Sequence, residues 1–328
     1  MFFFIGKRIL QGSVVLVITA FLSFLLFNFV TDPVSNMVGQ ETTAEDMEAL
    51  RERLGFNDPV PVQFIRFMGN ALHGEFGISY QMQRSVKGLF KDRFPATFEL
   101  VMVSTFLALI IGIPLGVYTG LHRNGKIANG ILGASLIGVS LPTFIISILF
   151  IYLFAVILRW LPPFGRGETV HIVGKWTTGL FTLSGLKSII LPAITLCLYQ
   201  LALILRIVRS EMLEALQTDY IKFAKARGLP NRMINYEYAF RNTLIPVITV
   251  LGLQVSSMLA FSVVTESVFQ WPGLGMLFIQ AAQFGDIPII TAYLLMATVI
   301  FVSINLLVDV IYYLIDPRLR VPSSSSAG

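Results

Sequence analysis

The sequence predicts an all-α integral membrane protein with six transmembrane helices and a small helical segment outside the membrane after the first. Three observations predict it. Six apolar runs are each long enough to cross a bilayer. Only 13% of the 328 residues are charged and 55% are hydrophobic, against about 25% charged in soluble domains; the mean hydropathy is +0.75. Lys and Arg gather in alternate loops. Length alone would allow about two soluble domains, but the apolar runs override that expectation.

A helix needs about 20 apolar residues to cross the hydrocarbon core. The runs at roughly 9–30, 96–121, 129–158, 188–208, 244–268 and 288–315 provide them. Lys7 and Arg8 precede the first run as in a signal peptide. That run is too long for a signal core and no small-x-small site ends it, so residues 1–30 read as a cytoplasmic N-terminus and an uncleaved first span. Six spans put both termini on one side. Lys7, Arg8, Arg123, Lys126, Arg206, Arg209, Lys222, Lys225, Arg227, Arg232, Arg241, Arg318 and Arg320 fall on that side, which the positive-inside rule makes cytoplasmic.

Residues 31–95 then lie outside. Ala44 to Leu54 is rich in helix formers, with Thr43 as N-cap, Glu45 and Asp46 in the first turn, and Gly55 as a stop. Val60 to Leu72 predicts an amphipathic helix with Phe64, Phe67 and Met68 on its apolar face. Together these predict a small cap over the outer surface. The loop 159–187 reads as a connector with Trp160 and Trp176 as interfacial anchors. Pro114, Pro142, Pro192 and Pro246 each favour a kink. Gly112, Gly116 and Gly120 form a smooth stripe for close helix packing, within this chain or with another subunit. Residues 96–320 form the core, and the serine-rich tail 321–328 resembles an added linker.

Several function classes are excluded. The net charge of +5 is explained by cytoplasmic Lys and Arg without nucleic acid. A lone Cys197 and the dispersed His73, His122 and His171 offer no metal-site spacing. Gly120 to Ile127 nearly fits a phosphate-binding loop, but Ile127 stands where Ser or Thr would hold magnesium, and a membrane span replaces the preceding strand. No catalytic residues and no nucleotide site are found. Three acids in or near spans, Glu99, Glu266 and Asp309, are candidates for the pathway or a gate, because ionisable groups there are costly; structural hydrogen bonding explains them as well.

The polar island 211–243 is the main functional candidate. Glu211, Glu214 and Asp219 come early and Lys222, Lys225 and Arg227 late, which suits a helix dipole. Gly228 predicts a C-cap and Pro230 a stop. Small Ala224 and Ala226 would let a short helix sit in a groove, and Met233 to Arg241 predicts a second helical piece. Such a loop either transmits force from a soluble partner or is merely solvated.

The run Asp219-Tyr220-Ile221-Lys222-Phe223-Ala224-Lys225-Ala226-Arg227-Gly228-Leu229-Pro230, followed by Arg241-Asn242-Thr243-Leu244-Ile245-Pro246, resembles the EAA loop of binding-protein-dependent ABC importer permeases of the dipeptide/oligopeptide/nickel class. Similar agreement comes from His73-Gly74-Glu75-Phe76-Gly77, Arg93-Phe94-Pro95-Ala96-Thr97-Phe98-Glu99, Thr265-Glu266-Ser267 with Trp271-Pro272-Gly273-Leu274-Gly275, and Asn305 to Asp309 with Asp316-Pro317-Arg318. The acidic lead residue is absent at Lys222-Phe223-Ala224, as is usual in that class, and the Gly228 to Pro246 spacing is longer than in the general pattern.

The resemblance implies the type I ABC importer permease fold and, from the long segment after span one, the B-type subunit of a permease pair. It implies a second homologous permease, two cytoplasmic ATPases that bind ATP and magnesium, and an extracytoplasmic solute-binding protein. This chain itself would hold no cofactor. It implies peptide import in the bacterial inner membrane, with coupling through Asp219, Tyr220, Ala224, Ala226, Gly228, Leu229, Arg241 and Asn242. Nickel chelates, glutathione or another small solute are alternative cargoes. A proton-coupled secondary transporter using Glu99, Glu266 or Asp309, and a membrane scaffold with an external sensor, are the competing classes.

Overall fold

The computed structural model describes residues 2–26, 44–54 and 57–315. The expected cap Thr43, the stop Gly55, the motif 316–320 and the tail 321–328 lie outside the described residues. The helices in chain order are α1 (Phe2–Leu25), α2 (Ala44–Leu54), α3 (Val60–Leu72), α4 (Val86–Leu121), α5 (Lys126–Ser140) and α6 (Thr143–Phe150), the last extended by a π-wound segment Ile151–Ile157. After strands β1 (Val170–Val173) and β2 (Trp176–Thr178) come α7 (Leu183–Gln217), α8 (Asp219–Ala226), α9 (Asn231–Met233), a π-wound segment Ile234–Phe240, α10 (Arg241–Val268), α11 (Leu274–Phe284) and α12 (Ile287–Ile315). Among the described residues four helices are long and apolar enough to cross a bilayer, and the bent pair α5–α6 would make a fifth. The run 244–268 lies in α10, which is 28 residues long.

The centre is a parallel pair, α4 beside α7. A Cβ at Gly112 would lie 3.1 Å from the Ile204 side chain, one at Gly116 2.6 Å from Val208, and one at Gly120 2.8 Å from Met212. The glycine stripe is therefore used within this chain. Three successive turns of α4 accept the side chains of three successive turns of α7, all of them buried. In lipid the gain comes from van der Waals contact and not from exclusion of water. Both helices outreach a bilayer core of about 30 Å: α7, at 35 residues, is about 52 Å long. Ser85 and Thr182 cap the starts of α4 and α7, accepting from the amides of Gly88 and Gly185.

The first span, α1, sits outside this core against α12, with Gly12 seated on Val302. Helix α3 crosses it through aromatic rings: Phe64 meets Phe21 at 5.5 Å and Phe24 at 5.4 Å, and Phe67 meets Phe24 at 5.8 Å.

The third apolar run, read as one span over 129–158, is broken. Its halves meet at 105° because Leu141 takes an extended ψ of 134° before Pro142, the conformation proline imposes on its predecessor. Pro95, Pro114, Pro192 and Pro246 instead lie inside continuous helices. The second helical piece expected at Met233 to Arg241 is not separate: it is largely π-wound and runs directly into α10.

The all-α expectation also needs correction in the loop 159–187. Val170 pairs with Thr178, His171 with Thr177 and Val173 with Trp176 in an antiparallel hairpin, turned at Gly174 with φ +57°. Trp176 packs edge-on against Phe94 at 6.1 Å and Phe98 at 5.6 Å.

Candidate functional site

At the end of the molecule remote from the hairpin, Thr218 breaks the chain between α7 and α8 with ψ 154°. Helix α8 then runs Asp219–Ala226 and closes in a Schellman turn. The amide of Leu229 donates to the Ala224 carbonyl at 3.3 Å and that of Gly228 to Lys225 at 3.0 Å. Gly228 takes φ +74°, which an L-residue adopts at a cost of about 1–2 kcal/mol. A Cβ there would meet nothing within 4 Å, so the requirement for glycine is conformational and not spatial.

One face of α8 is a seat. Ile221 is fully buried and Ala224 nearly so, in a cluster with Val208, Met212, Ala215, Ile234 and Ala239, with Leu229 packed against it. The opposite face is presented to solvent: Tyr220 is 41% and Phe223 64% exposed, and Ala226 is exposed as well. Of the two small residues expected in a groove, Ala224 faces inward and Ala226 outward. Asp219 pairs with Lys222 at 2.8 Å, an exposed i,i+3 contact of little energetic weight. Arg241 is exposed at the start of α10, and Asn242 follows it in the same helix. Phe223 was not singled out from sequence. Its signal is the i,i+3 spacing from Tyr220 and i,i+4 from Arg227, whose guanidinium lies 5.7 Å from the Phe223 ring centre.

At the hairpin end, two of the candidate acids anchor different elements to α4. Glu99 forms a buried ion pair with Arg166 and accepts from the Gly179 amide at 3.1 Å. Arg166 also donates to the Thr177 carbonyl at 2.7 Å and its hydroxyl at 3.1 Å, so α4 is locked to the hairpin. Glu266 is fully buried. It accepts from the Thr97 hydroxyl at 2.7 Å and from the amides of Gly275 at 2.8 Å and Met276 at 3.1 Å. A carboxylate at the first turn of α11 satisfies orphan amides and complements the dipole. Gly273 occupies the cap position, where a Cβ would lie 2.5 Å from Thr97 Oγ1 and against the Glu266 carboxylate. Trp271 is fully buried; its indole donates to the Ala96 carbonyl at 2.9 Å, and it lies 5.9 Å from the Arg166 guanidinium.

Asp309 is elsewhere. It pairs with Arg8 at 3.1 Å, joining α1 to α12. Counted from Ile287, it lies 22 residues along α12, about 33 Å from its start. The structure therefore brings Glu99 and Glu266 to one end and leaves Asp309 near the other. Sequence reasoning named Thr97 and Trp271 only within motifs and gave them no role; it missed Arg166, and also buried Asp286, which accepts from Ser79 Oγ at 2.5 Å and from the amides of Tyr80 and Gln81. The glycines flanking Arg166, at φ +85° and +70°, were the available hint of a fixed turn. Among the described residues no three His, Cys, Asp or Glu side chains gather as metal ligands.

The family described as "Binding-protein-dependent transport system inner membrane component" matches residues 112–321, and the one described as the N-terminal part of such membrane components matches residues 1–101. The oligopeptide transport system permease protein AppB of Bacillus subtilis (strain 168) is 36% identical over 319 residues, covering 97% of this chain and 99% of the relative. The di/tripeptide transport system permease protein DppB of Pseudomonas aeruginosa (strain UCBPP-PA14) is 36% identical over 313 residues, covering 91% and 93%. Among solved structures, the inward-facing MetNI methionine ABC transporter aligns with a TM-score of 0.54 at 19% identity, over 67% of this chain and 93% of that one; the likeness is one of fold.

Proposed function

The chain belongs to the family of binding-protein-dependent transport system inner membrane components, and on that premise we propose that it is one permease subunit of an ATP-driven importer of di- and oligopeptides. The single observation that carries the reading is the agreement with peptide permeases over nearly the whole of both chains. The seated, capped α8 supplies the part such a machine needs for coupling. A second, similar permease would complete the pathway. Two cytoplasmic ATPases would bind ATP and magnesium, and an extracytoplasmic protein would deliver peptide.

In this reading the chain crosses the inner membrane six times, with α5–α6 counted once and α10 as the fifth span. Both termini and α8 are cytoplasmic, the hairpin end is outside, and residues 31–95 cap that outer end. The charges support this orientation, since Lys7, Arg8, Arg123, Lys126 and the cluster from Arg206 to Arg241 share the α8 side. ATPase closure pushes the exposed face of α8, bearing Tyr220 and Phe223. Ile221 and Ala224 pass the movement into α7 and α10. Asp219, Ala226, Gly228, Leu229, Arg241 and Asn242 shape that lever. Glu99 and Glu266 hold the outer gate elements as rigid units, and Asp309 holds α1 against α12.

A proton-coupled carrier is less well supported. Glu99 and Glu266 have fixed donors, and Asp309 lies near the other end, paired with Arg8. The test is reconstitution with the cognate permease, ATPases and binding protein in liposomes. ATP-dependent uptake of a labelled peptide is expected. Uptake by this chain without ATPases, or accumulation of a nickel chelate or glutathione but not peptide, would overturn the respective part.

A further inference from the structure

At the hairpin end a cleft of about 830 Å³ opens between the start of α4, the hairpin turn and α12. Lys87, Lys91 and Phe94 line it from one face of α4, at i, i+4 and i+7, and Lys175 and Trp176 from the hairpin. Lys87 donates to the His73 carbonyl at 3.0 Å. Lys175 stands 3.6 Å from Asp92, a carboxylate already held by Arg84 at 2.7 Å. Lys91 makes no hydrogen bond or ion pair among the described residues. The cleft thus carries a positive excess beside three aromatic rings, those of Phe90, Phe94 and Trp176.

Met296 of α12 also lines it, and borders a second cavity of about 430 Å³ between α1, α3 and α12. That cavity is almost wholly apolar, with Leu16, Val17, Leu72, Phe76 and Val299 on its walls. A cationic chamber therefore adjoins an apolar crevice, across one shared side chain.

We propose that the two cavities hold one anionic phospholipid. Its phosphate would lie among Lys87, Lys91 and Lys175, and an acyl chain would run between α1, α3 and α12. A free anion would use only the upper chamber and leave the crevice unexplained. The lipid would join α1 and α3, which are otherwise peripheral, to the α4–α12 core. Placement in the outer leaflet rests on the orientation proposed above; lipid binding itself does not.

Native mass spectrometry and thermal melting of the detergent-purified full chain test this, with phosphatidylglycerol and glycerol phosphate as probes. The wild type should retain phosphatidylglycerol and melt higher with it, and glycerol phosphate should do neither. Lys91→Ala with Lys175→Ala should weaken retention about thirtyfold, at about 1 kcal/mol per lysine near a lipid surface. Val299→Trp, which fills the crevice and leaves the lysines intact, should also lower it. Equal retention in both variants, or an equal shift from glycerol phosphate, would overturn the proposal. Orientation is read separately from Lys175→Cys, since Cys197 is buried. Labelling of that cysteine only from the cytoplasmic side would refute the orientation and leave the lipid result standing.

Discussion

Thr97 and Glu266 stand 169 positions apart in sequence and share a hydrogen bond of 2.7 Å. Thr97 also accepts the Leu274 amide at 2.8 Å. One hydroxyl thus joins the fourth turn of α4, the exit of α10 and the start of α11, and both side chains are buried.

Replacing Thr97 by Val removes a donor from a buried carboxylate and leaves the Leu274 amide without its acceptor. The cost expected for such a loss is about 1–3 kcal/mol. Thermal melting of the purified chain should show Thr97→Val clearly below wild type and Thr97→Ser close to it. Equal melting of the valine variant would show that the contact does not hold the elements together.

The Glu99–Arg166 pair makes a sharper case, since both side chains are only about one-twentieth exposed. Arg166→Leu strands a buried carboxylate and should cost about 3–5 kcal/mol. Glu99→Gln in the same chain should restore much of it, because a neutral amide is cheaper to bury. A double-mutant cycle on folded yield and melting reads the coupling. Purely additive losses would mean that the two side chains do not act as a pair.

Gly116→Leu should prevent the α4–α7 pair from closing, because its Cβ would sit 2.6 Å from Val208 and 2.9 Å from the Leu205 carbonyl. Gly133→Leu is the control: a Cβ at that glycine meets nothing within 4 Å. Monodisperse yield should collapse for the first and persist for the second. Similar yields would contradict the close approach of the two backbones.

Gly228→Leu strains the left-handed cap of α8 without steric clash. The chain should fold and assemble, while ATP hydrolysis continues and uptake falls. Phe223→Ala should weaken ATPase docking and leave melting unchanged, because the ring is mostly exposed. Normal uptake in the glycine variant would remove α8 from the coupling path.

Much of this is legible in the sequence. The apolar runs, the helix Val60–Leu72 with its Phe64–Phe67 face, and the cap at Gly228 depend on residues within a few positions of one another. Proline was not legible in the same way. Pro142 ends a helix while Pro95, Pro114, Pro192 and Pro246 do not, because a freed carbonyl inside a bundle can be satisfied by its neighbours. The hairpin was missed because its strands are three and four residues long. It is held by Trp176 on Phe94 and Phe98 and by Arg166, not by an alternating apolar pattern.

The sequence by itself determined that this chain lives in a membrane, where its basic island lies along the chain, and which family it resembles. Local periodicity, composition and motif spacing carry those. Only the tertiary structure decided that the glycine stripe serves α7 within this chain, that Ala224 faces inward and Ala226 outward, and that Glu99 and Glu266 hold separate elements to one helix. Those outcomes depend on which side chain stands opposite, across 67 positions for Arg166 and 169 for Thr97. No local rule specifies a partner at that separation.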